Sequence, residues 1–83
     1  MEGTFIGKVK HFYSKISVAV LEPSDVLKAG DTIRIVGNDG TNFTQPVESM
    51  EIEDQKIKEA KPGDLIGLKV TQRAHKGCCV YKL

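Results

Sequence analysis

Two stretches of the chain, Lys28–Val36 (KAGDTIRIV) and Lys61–Lys69 (KPGDLIGLK), repeat one pattern, K-x-G-D-x-I-x-[IL], at an offset of 33 residues. The first half of the pattern reads as a corner. Glycine accepts left-handed backbone without a steric cost, and an aspartate after it can accept hydrogen bonds from nearby backbone N–H groups. The second half reads as a strand: in Ile33-Arg34-Ile35 apolar and charged residues alternate with the period of two that puts one face inward. The repeat thus describes two equivalent corners, each launching a strand, with Asp31 and Asp64 as turn residues rather than a catalytic carboxylate pair.

The same period extends in both directions. Thr4–His11, Ile16–Leu21 (ISVAVL), Gln45–Ile52 (QPVESMEI), Lys56–Ala60 (KIKEA) and Cys78–Leu83 (CCVYKL) read as further strands. Gly37–Gly40 (GNDG) and Ala74–Gly77 (AHKG) read as tight turns, and Glu22–Gly30 as a connection with a helical turn at Ser24–Lys28. No longer stretch carries an apolar stripe of helical period. In 83 residues, about seven short strands without covering helices bury their edges best by closing on themselves. The expected fold is therefore all-β: a small, closed, six- to seven-stranded antiparallel barrel of Greek-key type, forming a single domain over residues 1–83. Its expected core is Ile6, Val9, Ile16, Val18, Val20, Ile33, Ile35, Val47, Met50, Ile57, Leu65, Ile66, Leu68, Val70 and Val80.

The chain is 40% hydrophobic and 28% charged, with a net charge of +1. No apolar run approaches the roughly 18–20 residues of a membrane span. The start, MEGTFIGKVK, lacks a basic-then-apolar leader, so a cytoplasmic location is expected. Cys78 and Cys79 are adjacent and would point to opposite faces of a strand, one to the core and one to the surface, which argues against a disulfide or a metal site. Charge is distributed unevenly: residues 1–15 carry +2, residues 16–64 carry −5 and residues 65–83 carry +4. There is no G-x-x-x-x-G-K-[ST] loop and no G-x-S-x-G elbow, and His11 and His75 lie at opposite ends of the chain. No nucleophile–base–orienter set can be assembled, so an enzyme is not expected, nor a cofactor, a metal or a bound nucleotide.

Leu27–Val36 (LKAGDTIRIV), Val47–Met50 (VESM) and Ala60–Val70 (AKPGDLIGLKV) resemble the second-domain β-barrel of elongation factor Tu and its relatives. Over most of its length the chain is similar to free-standing, translation-factor-like single-domain proteins, and similar barrels also occur as C-terminal appendages of collagenase-like peptidases. The resemblance implies a six-stranded Greek-key-type barrel and, in the GTPases, contact with the tRNA acceptor end or ribosomal RNA. Glu51, within the acidic run EIED, stands where elongation factor Tu carries a basic residue, and His11–Lys15 (HFYSK) replaces the glycines of its first hairpin. The resemblance therefore carries the fold over and leaves the tRNA-end pocket behind.

Two functions fit a non-catalytic module of this kind. In the first, the chain ends meet and merge Lys8, Lys10, His11, Lys15, Arg73, His75, Lys76 and Lys82 into a basic patch for tRNA or ribosomal RNA, with Phe12 and Tyr13 placed to stack on bases. In the second, the partner is a larger protein. It would be met by the acidic stripe Glu48, Glu51, Glu53, Asp54 and Glu59 or by an exposed edge strand. A membrane is not expected as a partner.

Overall fold

A computed structural model describes residues 3–83. In chain order the strands are β1 (Thr4–Tyr13), β2 (Val18–Leu21), β3 (Leu27–Lys28), β4 (Thr32–Val36), β5 (Asn42–Pro46), β6 (Met50–Ile52), β7 (Gln55–Ile57), β8 (Glu59–Ala60), β9 (Ile66–Lys69) and β10 (Cys79–Lys82). No helix occurs among the described residues, as the period-two pattern requires. The segment expected to hold a helical turn instead ends in β3, which pairs with β8 as a separate two-stranded ribbon.

The other eight strands form one antiparallel sheet in the order β5-β4-β10-β1-β2-β9-β6-β7. The ten-residue β1 makes it curl. Its first half, Thr4–Lys8, pairs with β10, and its second half, Val9–Tyr13, pairs with β2. The register shifts between Phe5 and Gly7 and again between Val9 and His11, and such irregularities bend and twist a strand. Gly7 (φ 152°) lets the bend pack closely: a Cβ there would lie 2.9 Å from the Glu22 carbonyl oxygen.

The expected closed barrel of six or seven strands is not what forms. The terminal strands β5 and β7 share no ladder, so the sheet is an open curl. The physical reason lies in QPVESMEI, expected as one strand. Its backbone changes partners midway: Val47 still exchanges hydrogen bonds with the first corner (Val47 N to the Asp31 carbonyl, 2.7 Å; Gly30 N to the Val47 carbonyl, 2.8 Å), whereas from Ser49, whose carbonyl accepts from Lys69 N (3.1 Å), the chain joins β9. The gap beside β5 is sutured by one side chain. Gln45, only 4% exposed, donates from Nε2 to the Lys69 carbonyl (2.9 Å), and its Oε1 accepts from Thr71 N (2.7 Å) and Thr71 Oγ1 (3.1 Å).

The two corners are alike to the atom. Asp31 Oδ2 accepts from Lys28 N (2.8 Å) and Asp64 Oδ2 from Lys61 N (2.9 Å), while Gly30 (φ 97°) and Gly63 (φ 91°) take the left-handed turn. Inside the curl, Ile6, Val9, Ile33, Ile35, Val47, Met50, Ile66, Leu68, Val70 and Val80 are buried as expected. Ala19, Leu21, Leu27, Phe43, Ala60, Ala74 and Cys78 join them. Ile16 and Leu65 do not: they are 56% and 54% exposed, and Val18, Val20 and Ile57 are only half-buried. In β2 the side chains facing inward are Ala19 and Leu21, the opposite parity to the one expected.

Candidate docking face

The reversed parity of β2 creates a surface. Strand β2 pairs with β9 so that Val18 stands opposite Lys69 and Val20 opposite Gly67, and β6 places Glu51 on the other side of Gly67. Inward positions hold Ala19, Leu21, Ile66, Leu68 and Met50, so Val18, Val20, Leu65, Gly67 and Glu51 face out. Gly67 has no side chain to fill the middle of this face. A Cβ there would sit 3.1 Å from Val18 Cγ1, which shows how closely the neighbouring side chain crowds the notch.

The result is a hollow of about 340 Å³. Tyr13 at the end of β1 and Ile16 in the following turn form one wall, Val18 and Val20 the floor, and Leu65 the far side, with Glu51, Glu53 and Asp54 on the rim. The turn holding Ile16 is pinned, because Ser17 (φ 55°) accepts a hydrogen bond at its carbonyl from Val70 N (2.9 Å), and Lys69 Nζ donates to the Ile16 carbonyl (2.7 Å). Glu53 (φ 49°) and Asp54 (φ 65°) are the two central residues of the β6–β7 hairpin. Both are left-handed, the geometry a two-residue hairpin turn needs to follow strand twist. Three of the five large apolar side chains exposed among the described residues, Tyr13, Ile16 and Leu65, gather in this one hollow. Among those residues no cation lies within 4.0 Å of Glu51, Glu53 or Asp54, whereas Lys10, Lys28, His75 and Lys82 all have carboxylate partners.

The residues expected to form a basic patch differ in exposure and in partners. β1 and β10 do lie side by side. Lys8, Lys15, Arg73 and Lys76 are exposed, but Lys10 pairs with Glu22 (3.5 Å), and Lys82 donates to the Val26 carbonyl (2.9 Å) with Asp31 3.7 Å away. Phe12 is half-buried against the core, His11 rests edge-on against Tyr13 with ring centroids 4.4 Å apart, and Tyr13 belongs to the hollow. The acidic stripe divides as well. Glu51, Glu53 and Asp54 stay together, Glu48 lines a separate hollow with Lys56 and Lys58, and Glu59 lies 4.0 Å from Lys28.

His75 takes part in a contact that the sequence pattern does not reveal. Its Nε2 lies 2.9 Å from Asp39 Oδ1 in the β4–β5 turn, and its Nδ1 lies 3.0 Å from the Lys76 carbonyl oxygen. Asp39 Oδ1 already accepts from Thr41 Oγ1 (2.6 Å) and Thr41 N (3.1 Å), so the imidazole meets it as an ion pair rather than as a well-directed hydrogen bond. With an acceptor at each ring nitrogen, the doubly protonated imidazolium is favoured: Asp39, and after it the Lys76 carbonyl, raises the His75 pKa above its usual value. Thr41 and then His75 hold Asp39 well below the usual carboxylate range. The Cys78 thiol packs nearby, since a Cβ on Gly37 would touch Cys78 Sγ, Asp39 Oδ1 and His75 Nε2 together. That thiol is fully buried, and burial pushes its pKa up, so it is held as an inert thiol rather than a nucleophile.

Fold and surface together define a class: a small all-β module that carries on its outer face a hollow with apolar side chains and an acidic rim. Residues 2–78 match the family described as Peptidase family U32 C-terminal domain, and the chain belongs to that family. It is 40% identical over 78 residues to an uncharacterized protease of Methanocaldococcus jannaschii, covering 94% of this chain and 19% of the relative, so it spans about a fifth of that protein. Two crystal structures of the C-terminal domain of a Geobacillus thermoleovorans protein assigned as a U32 peptidase share the fold. One matches with a TM-score of 0.88 at 23% identity, covering 96% of this chain and 92% of that one. The other, a selenomethionine variant, matches with 0.87 at 24% identity, covering 94% and 98%.

These matches correct the resemblance to elongation factor Tu. The family is a peptidase C-terminal domain, not a translation-factor domain, and the reading as an RNA- or ribosome-binding module, which rested on that resemblance, falls with it. The physical reason is that LKAGDTIRIV and AKPGDLIGLKV encode corner geometry, the Asp-to-backbone bonds and left-handed glycines described above, and corner geometry carries no information about a partner.

Proposed function

We propose that this chain is a non-catalytic accessory domain of a U32-type peptidase and that its apolar hollow docks on the peptidase-bearing polypeptide. The observation that carries the reading is the gathering of Tyr13, Ile16 and Leu65, each half or more exposed, around the notch at Gly67. Contiguous apolar surface of this kind marks interaction sites in soluble proteins. The family supports the choice of partner, because in the Methanocaldococcus jannaschii relative a stretch like this one accounts for only 19% of the protein. A catalytic role for the domain itself lacks support: the Asp39–His75 pair sits beside a buried thiol whose pKa is raised. The free thiols Cys78 and Cys79 suit a reducing compartment, which favours the cytoplasm. No helix among the described residues is long and apolar enough to cross a membrane.

Photo-cross-linking tests the proposal. A benzophenone amino acid at Leu65, and as a control at Thr44 on β5, is irradiated in extract of the source cells, and the adducts are identified by mass spectrometry. The expected result is an adduct with a U32 peptidase polypeptide from position 65 and none from position 44. Adducts with unrelated proteins, or none at position 65, overturn the reading.

A further inference from the structure

We infer that the element seated in the hollow is an extended segment of the peptidase-bearing polypeptide carrying one apolar side chain flanked by lysine or arginine. The inference rests on the docking reading above and adds the chemistry of the contact. The notch over Gly67, between Val18 and Val20 on one side and the Glu51 strand on the other, is walled by Tyr13, Ile16 and Leu65. It offers an apolar side chain the faces of Tyr13, Ile16, Val18, Val20 and Leu65, with its carboxylates supplied by Glu51, Glu53 and Asp54.

The rim decides the flanks. Glu51, Glu53 and Asp54 stand along one side of the hollow, and no cation among the described residues lies within 4.0 Å of any of them. Lys56 stands across the β6–β7 ladder from Glu51 without coming within 4.0 Å of it, and Lys69, opposite Val18, is engaged with the Ile16 carbonyl (2.7 Å). An apolar residue with acidic flanks would meet like charge on this rim, and a neutral segment would leave three carboxylates uncompensated as water is displaced. A cationic flank answers both.

Charge also gives the contact a signature that a purely apolar contact lacks. Each exposed ion pair is worth roughly 1.4- to 5-fold in affinity, so removing three costs on the order of tenfold, and added salt weakens binding progressively.

The test is an NMR titration of the ¹⁵N-labelled chain with two capped peptides: one leucine flanked on each side by lysines, and its counterpart with glutamates. The expected result is that the lysine peptide shifts the amides of Val18, Val20, Glu51 and Gly67, that salt weakens the effect, and that the glutamate peptide binds at least tenfold more weakly. Glu53→Asn/Asp54→Gly is the decisive variant. It removes two rim charges while installing the residue pair that best accepts left-handed hairpin backbone, so lost affinity cannot reflect unfolding. This variant should bind the lysine peptide several-fold more weakly. Equal binding of the two peptides, shifts centred elsewhere, or unchanged affinity in the variant would overturn the inference. If any of these accompanied a cross-link from position 65 to a U32 polypeptide, the docking reading would stand while its cationic chemistry fell.

Discussion

Replacing Gln45 with methionine tests whether the open edge of the sheet is held by one amide. Methionine has nearly the same length and volume, so packing around Phe43 and Val47 is kept while the polar suture is lost. The wild-type side chain makes three hydrogen bonds across the gap, one to the Lys69 carbonyl and two from Thr71, besides a longer one to the neighbouring Pro46 carbonyl (3.4 Å). At about 1 kcal/mol net for each bond, and with the Lys69 carbonyl left short of a partner, the loss is about 2–3 kcal/mol after the more favourable burial of a thioether. For a domain of this size each kcal/mol corresponds to roughly 4–8 °C in Tm, so unfolding should move down by about 8–24 °C. Urea denaturation followed by circular dichroism measures the free energy, and amide exchange at Thr71 reports the suture locally. The midpoint should fall with an unchanged m-value, and Thr71 should lose protection before the β1–β10 ladder does. A loss under about 0.5 kcal/mol, with Thr71 still protected, would refute the suture.

Further outcomes follow from the side chains already placed. Asp39→Asn should bring the His75 pKa down toward its ordinary value of about 6.5, measured by NMR titration of the imidazole. In the wild type, the raised His75 pKa means its stabilising contribution is fully present below the unfolded value and is lost as pH rises through the folded one. Asp39, with its pKa depressed, contributes above about pH 4, and that contribution is lost as pH falls toward its folded value. Stability attributable to the pair should therefore be greatest between about pH 4 and 6.5 and should flatten in the variant; a His75 titrating at or below its ordinary value would contradict this. Asp64→Ala should cost about 0.5–1.5 kcal/mol through the lost Lys61 N bond. Asp31→Ala should cost more, because Asp31 also faces Lys82 at 3.7 Å; equal losses in thermal unfolding would remove that contribution.

What was legible in the sequence was local. The corners at Gly30-Asp31 and Gly63-Asp64 were readable because every atom they need lies within four residues. The alternation in TIRIV fixed β4 with its correct inward face. ISVAVL carried no such information: an unbroken apolar run fits either parity, and only pairing with β9, where Ile66 and Leu68 face inward, turns Val18 and Val20 out. The same ambiguity put Ile16 and Leu65 in the expected core, and so hid the hollow they help to wall. Non-local partnerships were equally out of reach. Nothing in GNDG or AHKG announces that Asp39 meets His75, or that Gln45 in TNFTQP reaches across the open edge of the sheet to Lys69 and Thr71. Charge position carried no information on pairing: nothing near the chain ends announces that Lys10 meets Glu22 or that Lys82 meets Asp31.

The most direct test of the docking face is the affinity of a U32 peptidase polypeptide for the wild-type chain and for Ile16→Glu and Leu65→Glu, measured by isothermal titration calorimetry. Both side chains are more than half exposed, so neither substitution threatens the fold. Each loses an apolar contact worth about 1–2 kcal/mol and brings a carboxylate into a desolvated hollow, so affinity should fall roughly 10- to 100-fold at an unchanged Tm. Unchanged affinity in both variants, with binding intact in the wild type, would place the docking surface elsewhere on the domain.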